Sequence, residues 1–223
     1  LKLLSPQIEQ SLNVKIQVIS ASSGTLFQQI KHGAPFDVFL SADKLHPQKL
    51  VDEQLAIEKT LTTYTQGQLS FYSAKHPLLT FDKFASAPTG YQRIAIANPD
   101  IAPYGKATKS LLSANNLWNH VSKHLVTGIN VGQTFQQIRS KAVDFGFVAT
   151  SQLVLNNIIA SDHKPLKIDA SWLAQQGVVI ARSSIKNQAI HFIQYLSSPA
   201  IQTQLVEFGY IAVDNAMAHE NDS

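Results

Sequence analysis

The sequence predicts an α/β protein. Three observations lead there: short apolar runs alternate with amphipathic stretches, the runs end in small or polar residues, and helical patterns start directly after them. With 223 residues, 44% of them hydrophobic, and a mean hydropathy of −0.03, the chain can build one domain or two small ones.

Val14–Ser20 (VKIQVIS) is rich in β-branched residues and reads as a strand. Ser22-Ser23-Gly24 follows it. Thr25–Lys31 then reads as a short helix, stopped at Gly33. Asp37–Ser41 (DVFLS) is the next buried strand, and Ala42-Asp43 leads into a helix over Leu45–Asp52. Leu69–Ser73 (LSFYS) is a third strand. Arg93–Ala97 (RIAIA) is another, broken by Asn98-Pro99, and Tyr104-Gly105 opens a helix that runs to Asn115. Leu117–Leu125 reads as helical and Val126–Asn130 as extended. Gly132–Val143 has helical period, and Phe145–Ala149 (FGFVA) is a strand. Gly177–Ala181 (GVVIA) is the last strand. Lys186–Leu196 is an amphipathic helix. Ser198 then stands as the N-cap of a final helix, with Pro199 at its first position and Gly209 as its stop.

Composition excludes several functions. There is no cysteine, so disulfides, thiolate metal sites and cysteine nucleophiles are out. The net charge is only +3, the pI is near 9.0, and no dense Lys/Arg tract occurs, which argues against a nucleic-acid surface. No apolar run approaches the roughly 20 residues that span a bilayer. The chain opens at Leu1 without a basic-then-apolar leader, so a processed or truncated start is expected.

Three turns share one arrangement in which a strand ends, small or polar residues follow and a helix begins: Ala21–Thr25, Ala102–Gly105 and Asn130–Gln133. A helix start offers unpaired N–H groups and the positive end of the macrodipole, which suits an anion. Serine hydroxyls add donors that rotate to fit, and glycine lets backbone approach closely. Taken singly, each turn is better explained as ordinary helix capping. The recurrence of three in one chain is what points to a ligand.

Other patterns are weaker. Ser41–Lys44 and Ser183–Lys186 match S-x-x-K, but the S-D-N and K-T-G partners are absent. His120 and His124 stand at i and i+4 without a third ligand, so a solvated helix face is the better reading. Asp43 reads as a helix cap.

Six strings then occur in order: ASSGT (Ala21–Thr25), GAPFDVFLSAD (Gly33–Asp43), ANPDIAPYGKAT (Ala97–Thr108), VGQTFQQI (Val131–Ile138), DFGFVA (Asp144–Ala149) and SPAIQTQLVEFGY (Ser198–Tyr210). Together they resemble the periplasmic molybdate-binding proteins of ABC uptake systems, from about Val14 to Tyr210. The resemblance implies a two-lobed periplasmic binding protein fold of type II, each lobe a mixed sheet flanked by helices. Residues 1–68 and 177–223 would form the first lobe and 69–176 the second, with crossings near 61–73 and 172–181. It also implies a periplasmic, or exported and membrane-tethered, protein. Such a protein holds molybdate or tungstate as an oxyanion in the cleft and passes it to an inner-membrane ABC permease. No cofactor, cation ligand or nucleic acid is implied, and a monomer is expected.

By the same resemblance Ser23, with Ser22 beside it, supplies the second-loop donor. Tyr104 follows the Ala-Pro pair, and Val131 donates a backbone N–H. Two departures stand out. Ala149 falls where one branch of the family has a ligand-touching tyrosine. The family also begins with a strand and a Ser, Thr or Asn loop, whereas Leu1–Gln10 resembles the helix after that loop. The alternatives are a binder of sulfate, phosphate or another ligand, a relative that has lost binding, and an enzyme with Ser23 as nucleophile. The last lacks a visible base and orienting group.

Overall fold

The computed structural model describes residues 1–158 and 164–213, in two compact units. The helices are α1 (Ser5–Leu12), α2 (Ser23–Lys31), α3 (Leu45–Asp52), α4 (Phe81–Ser86), α5 (Pro103–Ala114), α6 (Trp118–Val121), α7 (Val131–Arg139), α8 (Thr150–Leu155), α9 (Lys186–Leu196) and α10 (Pro199–Glu207). The strands are β1 (Val38–Ser41), β2 (Thr62–Gln66), β3 (Leu69–Tyr72), β4 (Ile94–Ala97), β5 (Leu125–Gly128), β6 (Phe145–Ala149) and β7 (Ala174–Val179).

Unit 1 comprises Leu1–Ser20, Leu26–Gln66 and the described residues from Ala174 to Val213. Its sheet is antiparallel in the order β1-β7-β2, with an irregularity in β2 between Thr63 and Thr65. Two apolar clusters fill it. Leu4, Ile8, Val179, Phe192, Ile193, Leu196 and Ile201 form one, and Phe27, Ile30, Phe39, Leu50, Val178 and Ile180 the other. Consecutive residues Val178 and Val179 thus belong to different clusters, as a central strand buried on both faces requires.

Unit 2 comprises Gly67–Leu173 with Ala21–Thr25. Its sheet runs β3-β6-β4-β5, with β4, β5 and β6 parallel and β3 antiparallel to β6. Every residue of β6 is buried. Phe145 and Phe147 meet Phe71 and the α4 side on one face, while Val148 packs with Phe135 and Ile138 of α7 on the other.

The structure departs from the sequence reading at several elements. The exposure of Val14–Ile19 alternates as in a strand, but the segment joins no ladder. A strand needs a hydrogen-bonded neighbour, and this segment instead lines a groove of about 770 Å³ whose other walls include edge strand β1 and Leu1. β2 carries no apolar alternation, because TTYTQ is polar, although its threonines are β-branched. The last strand begins earlier than Gly177, because Gln175 is buried and accepts from the Tyr64 hydroxyl at 3.0 Å. Leu117–Leu125 breaks into α6, a 3-10 turn and β5, so His120 and His124 do not share one helix. α7 ends at Arg139, and Lys141 takes a left-handed φ of 60°. Ser198 does stand at the N-cap of α10, but its hydroxyl makes no cap bond.

Candidate functional site

The parallel strands β4, β5 and β6 bring their carboxyl ends to one edge of the unit 2 sheet, where α5, α7 and α8 begin. Such an edge is where α/β folds bind ligands. At β4, the Asn98 N–H continues the ladder onto the Gly128 carbonyl at 2.8 Å. The chain then turns into α5, and Tyr104 becomes its second residue. A Cβ on Gly105 would lie 2.2 Å from the Ala97 carbonyl oxygen, so only glycine lets the helix start sit this close to the strand end.

The Ser22–Gly24 turn closes against the same place. The Gly24 N–H donates to the Ile101 carbonyl at 2.9 Å, and a Cβ on Gly24 would come within 2.8 Å of that oxygen. Ala21–Thr25 belong with unit 2, while the rest of α2, from Leu26 on, belongs to unit 1. Ser22 is the cap of α2: its Oγ accepts from the Thr25 N–H at 3.2 Å and meets Thr25 Oγ1 at 2.7 Å. Ser22 and Ser23 are each only 5% exposed, and Tyr104 is 6% exposed.

At β5, Asn130 caps α7, its Oδ1 accepting from the Gln133 N–H at 2.9 Å. Val131 is the first helical residue and is half-buried. At β6, Ala149 is buried and brings no hydroxyl. The next residue, Thr150, pairs its hydroxyl with Ser70 at 2.8 Å.

Ser23, Tyr104 and Val131 therefore stand at three helix starts in one unit. The first two are linked by the Gly24–Ile101 bond. The latter two are linked through adjacent strands β4 and β5. None of α2, α5 or α7 has an acidic residue in its first turn, and Asp100, just ahead of α5, is exposed. The macrodipoles are thus left uncancelled by local carboxylates. Chemically this is a set of neutral O–H and N–H donors suited to an anion.

Carboxylates occupy other turns. In unit 1, Asp43 closes the start of α3, accepting from the Ser41 hydroxyl at 2.9 Å and pairing with His46 Nδ1 at 2.8 Å. Burial would raise its pKa, but the His46 hydrogen bond and charge outweigh that and hold it below its usual value. In unit 2, Asp144 accepts from Lys75 Nζ at 2.7 Å, from the Gln92 N–H at 2.8 Å and from the Arg93 N–H at 3.1 Å. Burial again pushes upward, but these donors bring its pKa down to about 2. The Asp144 clip leaves no mark in the sequence, because its partners lie about 50 and 70 residues away along the chain. No group of three or more His, Asp or Glu residues that could hold a metal ion occurs among the described residues.

A family model for bacterial extracellular solute-binding proteins matches residues 1–211. This chain belongs to that family. Within it, the molybdate-binding protein of Rhodobacter capsulatus is 32% identical over 195 residues, covering 85% of this chain and 74% of that protein. The molybdate-binding protein of Azotobacter vinelandii is 27% identical over 219 residues, covering 94% and 84%. Among solved structures, the periplasmic molybdate-binding protein of Azotobacter vinelandii superimposes with a TM-score of 0.84 at 31% identity, over 96% of this chain and 94% of that one. The solute-binding family thus accounts for the α/β fold with its two mixed and antiparallel sheets flanked by helices.

Proposed function

We propose that this chain is a periplasmic solute-binding protein that captures molybdate or tungstate and hands the oxyanion to an inner-membrane ABC permease. It works as a monomer and catalyses no reaction. Ser23 gives its hydroxyl and N–H, Tyr104 its hydroxyl, and Val131 its backbone N–H. Ser22 serves the site by capping α2. The observation that carries the reading is the Gly24–Ile101 bond, which sets the Ser23 turn against the start of α5 with no carboxylate in either first turn. The similarity to molybdate-binding relatives along most of the chain supports the choice of ligand.

Neutral donors suit a dianion because several charge-assisted hydrogen bonds and helix dipoles replace its hydration shell. Selection against sulfate follows from size, since the donor pattern fits either ion.

Calorimetric titration with molybdate, tungstate and sulfate tests the proposal. Tight binding of the first two and weak sulfate binding are expected. Equal sulfate affinity would overturn size selection, and no oxyanion binding at all would favour a relative that has lost its ligand. A Ser23→Ala variant is expected to lose about 1.5–3 kcal/mol, roughly 10- to 100-fold in molybdate affinity. Unchanged affinity would remove Ser23 from the site.

A further inference from the structure

One side chain reaches the start of α7 from a different element. Gln152, the third residue of α8, accepts the Ala149 N–H on Oε1 at 3.1 Å and donates from Nε2 to the Val131 carbonyl at 3.2 Å. A single amide therefore ties the end of β6 to the first residue of α7, 21 positions away. The other side-chain bonds of that turn are local. Gln133 Oε1 accepts the Ile129 N–H at 2.7 Å, Asn130 Oδ1 accepts the Gln133 N–H at 2.9 Å, and Thr134 Oγ1 donates to the Asn130 carbonyl at 3.0 Å. Those bonds shape the turn within itself. Gln152 fixes it relative to the sheet.

We propose that Gln152 is a positioning residue that sets the oxyanion selectivity of the site. This rests on the reading of Val131 as a donor. Sulfate and molybdate carry the same charge and shape and differ in size, so a site that separates them must hold its donors at fixed spacing. A donor free to shift by a fraction of an ångström can close around the smaller ion. Gln152 opposes such a shift. It grips the carbonyl of the residue whose N–H faces the ligand, and it anchors that grip on the backbone of β6, the strand next to β4 and so to the start of α5. Of its two contacts, the bond to Ala149 orients the amide and the bond to Val131 transmits the restraint. A glutamine suits the place because one planar group both accepts and donates.

Gln152→Leu removes both contacts, and Gln152→Glu keeps the acceptor toward Ala149 but loses the donor toward Val131. The two variants in parallel keep the test standing should one fold poorly. Molybdate and sulfate affinities are measured by calorimetry, and exchange of the Val131 and Gly132 amides by NMR without ligand. In both variants the ratio of molybdate to sulfate affinity is expected to fall about 10-fold, the scale seen when outer partners of ligand groups are removed. Amide exchange at Val131 and Gly132 is expected to quicken. An unchanged ratio with unchanged exchange would overturn the proposal, even if the melting temperature dropped, because a purely structural glutamine moves only the latter. Wild-type protein that takes no molybdate would instead overturn the Val131 reading, and the selectivity role with it.

Discussion

The turns of this molecule fall into two kinds. At Asp43 and Asp144 a carboxylate closes the turn and gathers donors around itself. At Ser22–Gly24 and Asn130–Gln133 a neutral side chain caps the helix start, at Ala102–Gly105 no side chain does, and none of the three helices has an acid in its first turn. Both kinds satisfy backbone N–H groups, so capping alone does not explain the choice. A carboxylate is the stronger acceptor, but at a helix start, as Asp43 stands ahead of α3, it also offsets the positive end of the dipole, and anywhere it repels an incoming anion. The neutral turns leave the positive ends of their helix dipoles uncancelled, which is the property the proposed oxyanion site needs.

Moving charge from one kind of turn to the other should therefore separate stability from binding. The largest effect is expected from Ser23→Asp. Two unit charges about 4 Å apart interact by about 4 kcal/mol at a surface-like dielectric, so molybdate affinity should fall about 1000-fold or more. Calorimetry checks this, and a loss under 10-fold would place the ligand away from Ser23.

Next is Asp144→Ala, which leaves the Gln92 and Arg93 N–H groups and the Lys75 ammonium without their acceptor. It should cost about 2–4 kcal/mol in denaturant unfolding, with oxyanion selectivity unchanged. The pH dependence has a definite sign. Asp144 is held at about 2, below its ordinary 3.8, so the wild type gains stability from it above the ordinary value and loses that gain as pH falls from 3.8 toward 2. The variant should lack this part of its acid sensitivity.

The smallest and sharpest case is Asn130→Asp. Asparagine and aspartate cap helices almost equally, so unfolding stability should stay within about 0.5 kcal/mol. Molybdate affinity should nevertheless drop roughly 10-fold, because the new charge sits at the α7 start and acts on a dianion. Loss of binding at constant stability would set the two kinds of turn apart by function alone.

Much of the fold was legible in the chain. β1, β6, α3 and α9 follow from local pattern: buried β-branched or aromatic runs for the strands, amphipathic period for the helices. Elements that depend on distant partners were not. β2 shows a polar face to the eye and is a strand because it pairs with β7 across more than 100 residues. Val14–Ser20 has every local mark of a strand and joins no ladder. The short α4 and α8 carry too few residues to show a period.

The candidate site was legible as three helix starts, because strand-then-glycine punctuation is local. What holds those starts together was not. Neither the Gly24–Ile101 bond nor the Gln152 bridge leaves a trace in sequence spacing, since each joins residues brought close only by the parallel order of β4, β5 and β6.

The central claim is that the neutral helix starts receive the oxyanion. The most direct measurement is the anomalous scattering of molybdenum in crystals grown with molybdate. One strong peak is expected within hydrogen-bonding reach of the Ser23 hydroxyl, the Tyr104 hydroxyl and the Val131 N–H. A peak beside Lys75 and Arg93, or none near the carboxyl edge of β4 and β5, would contradict it.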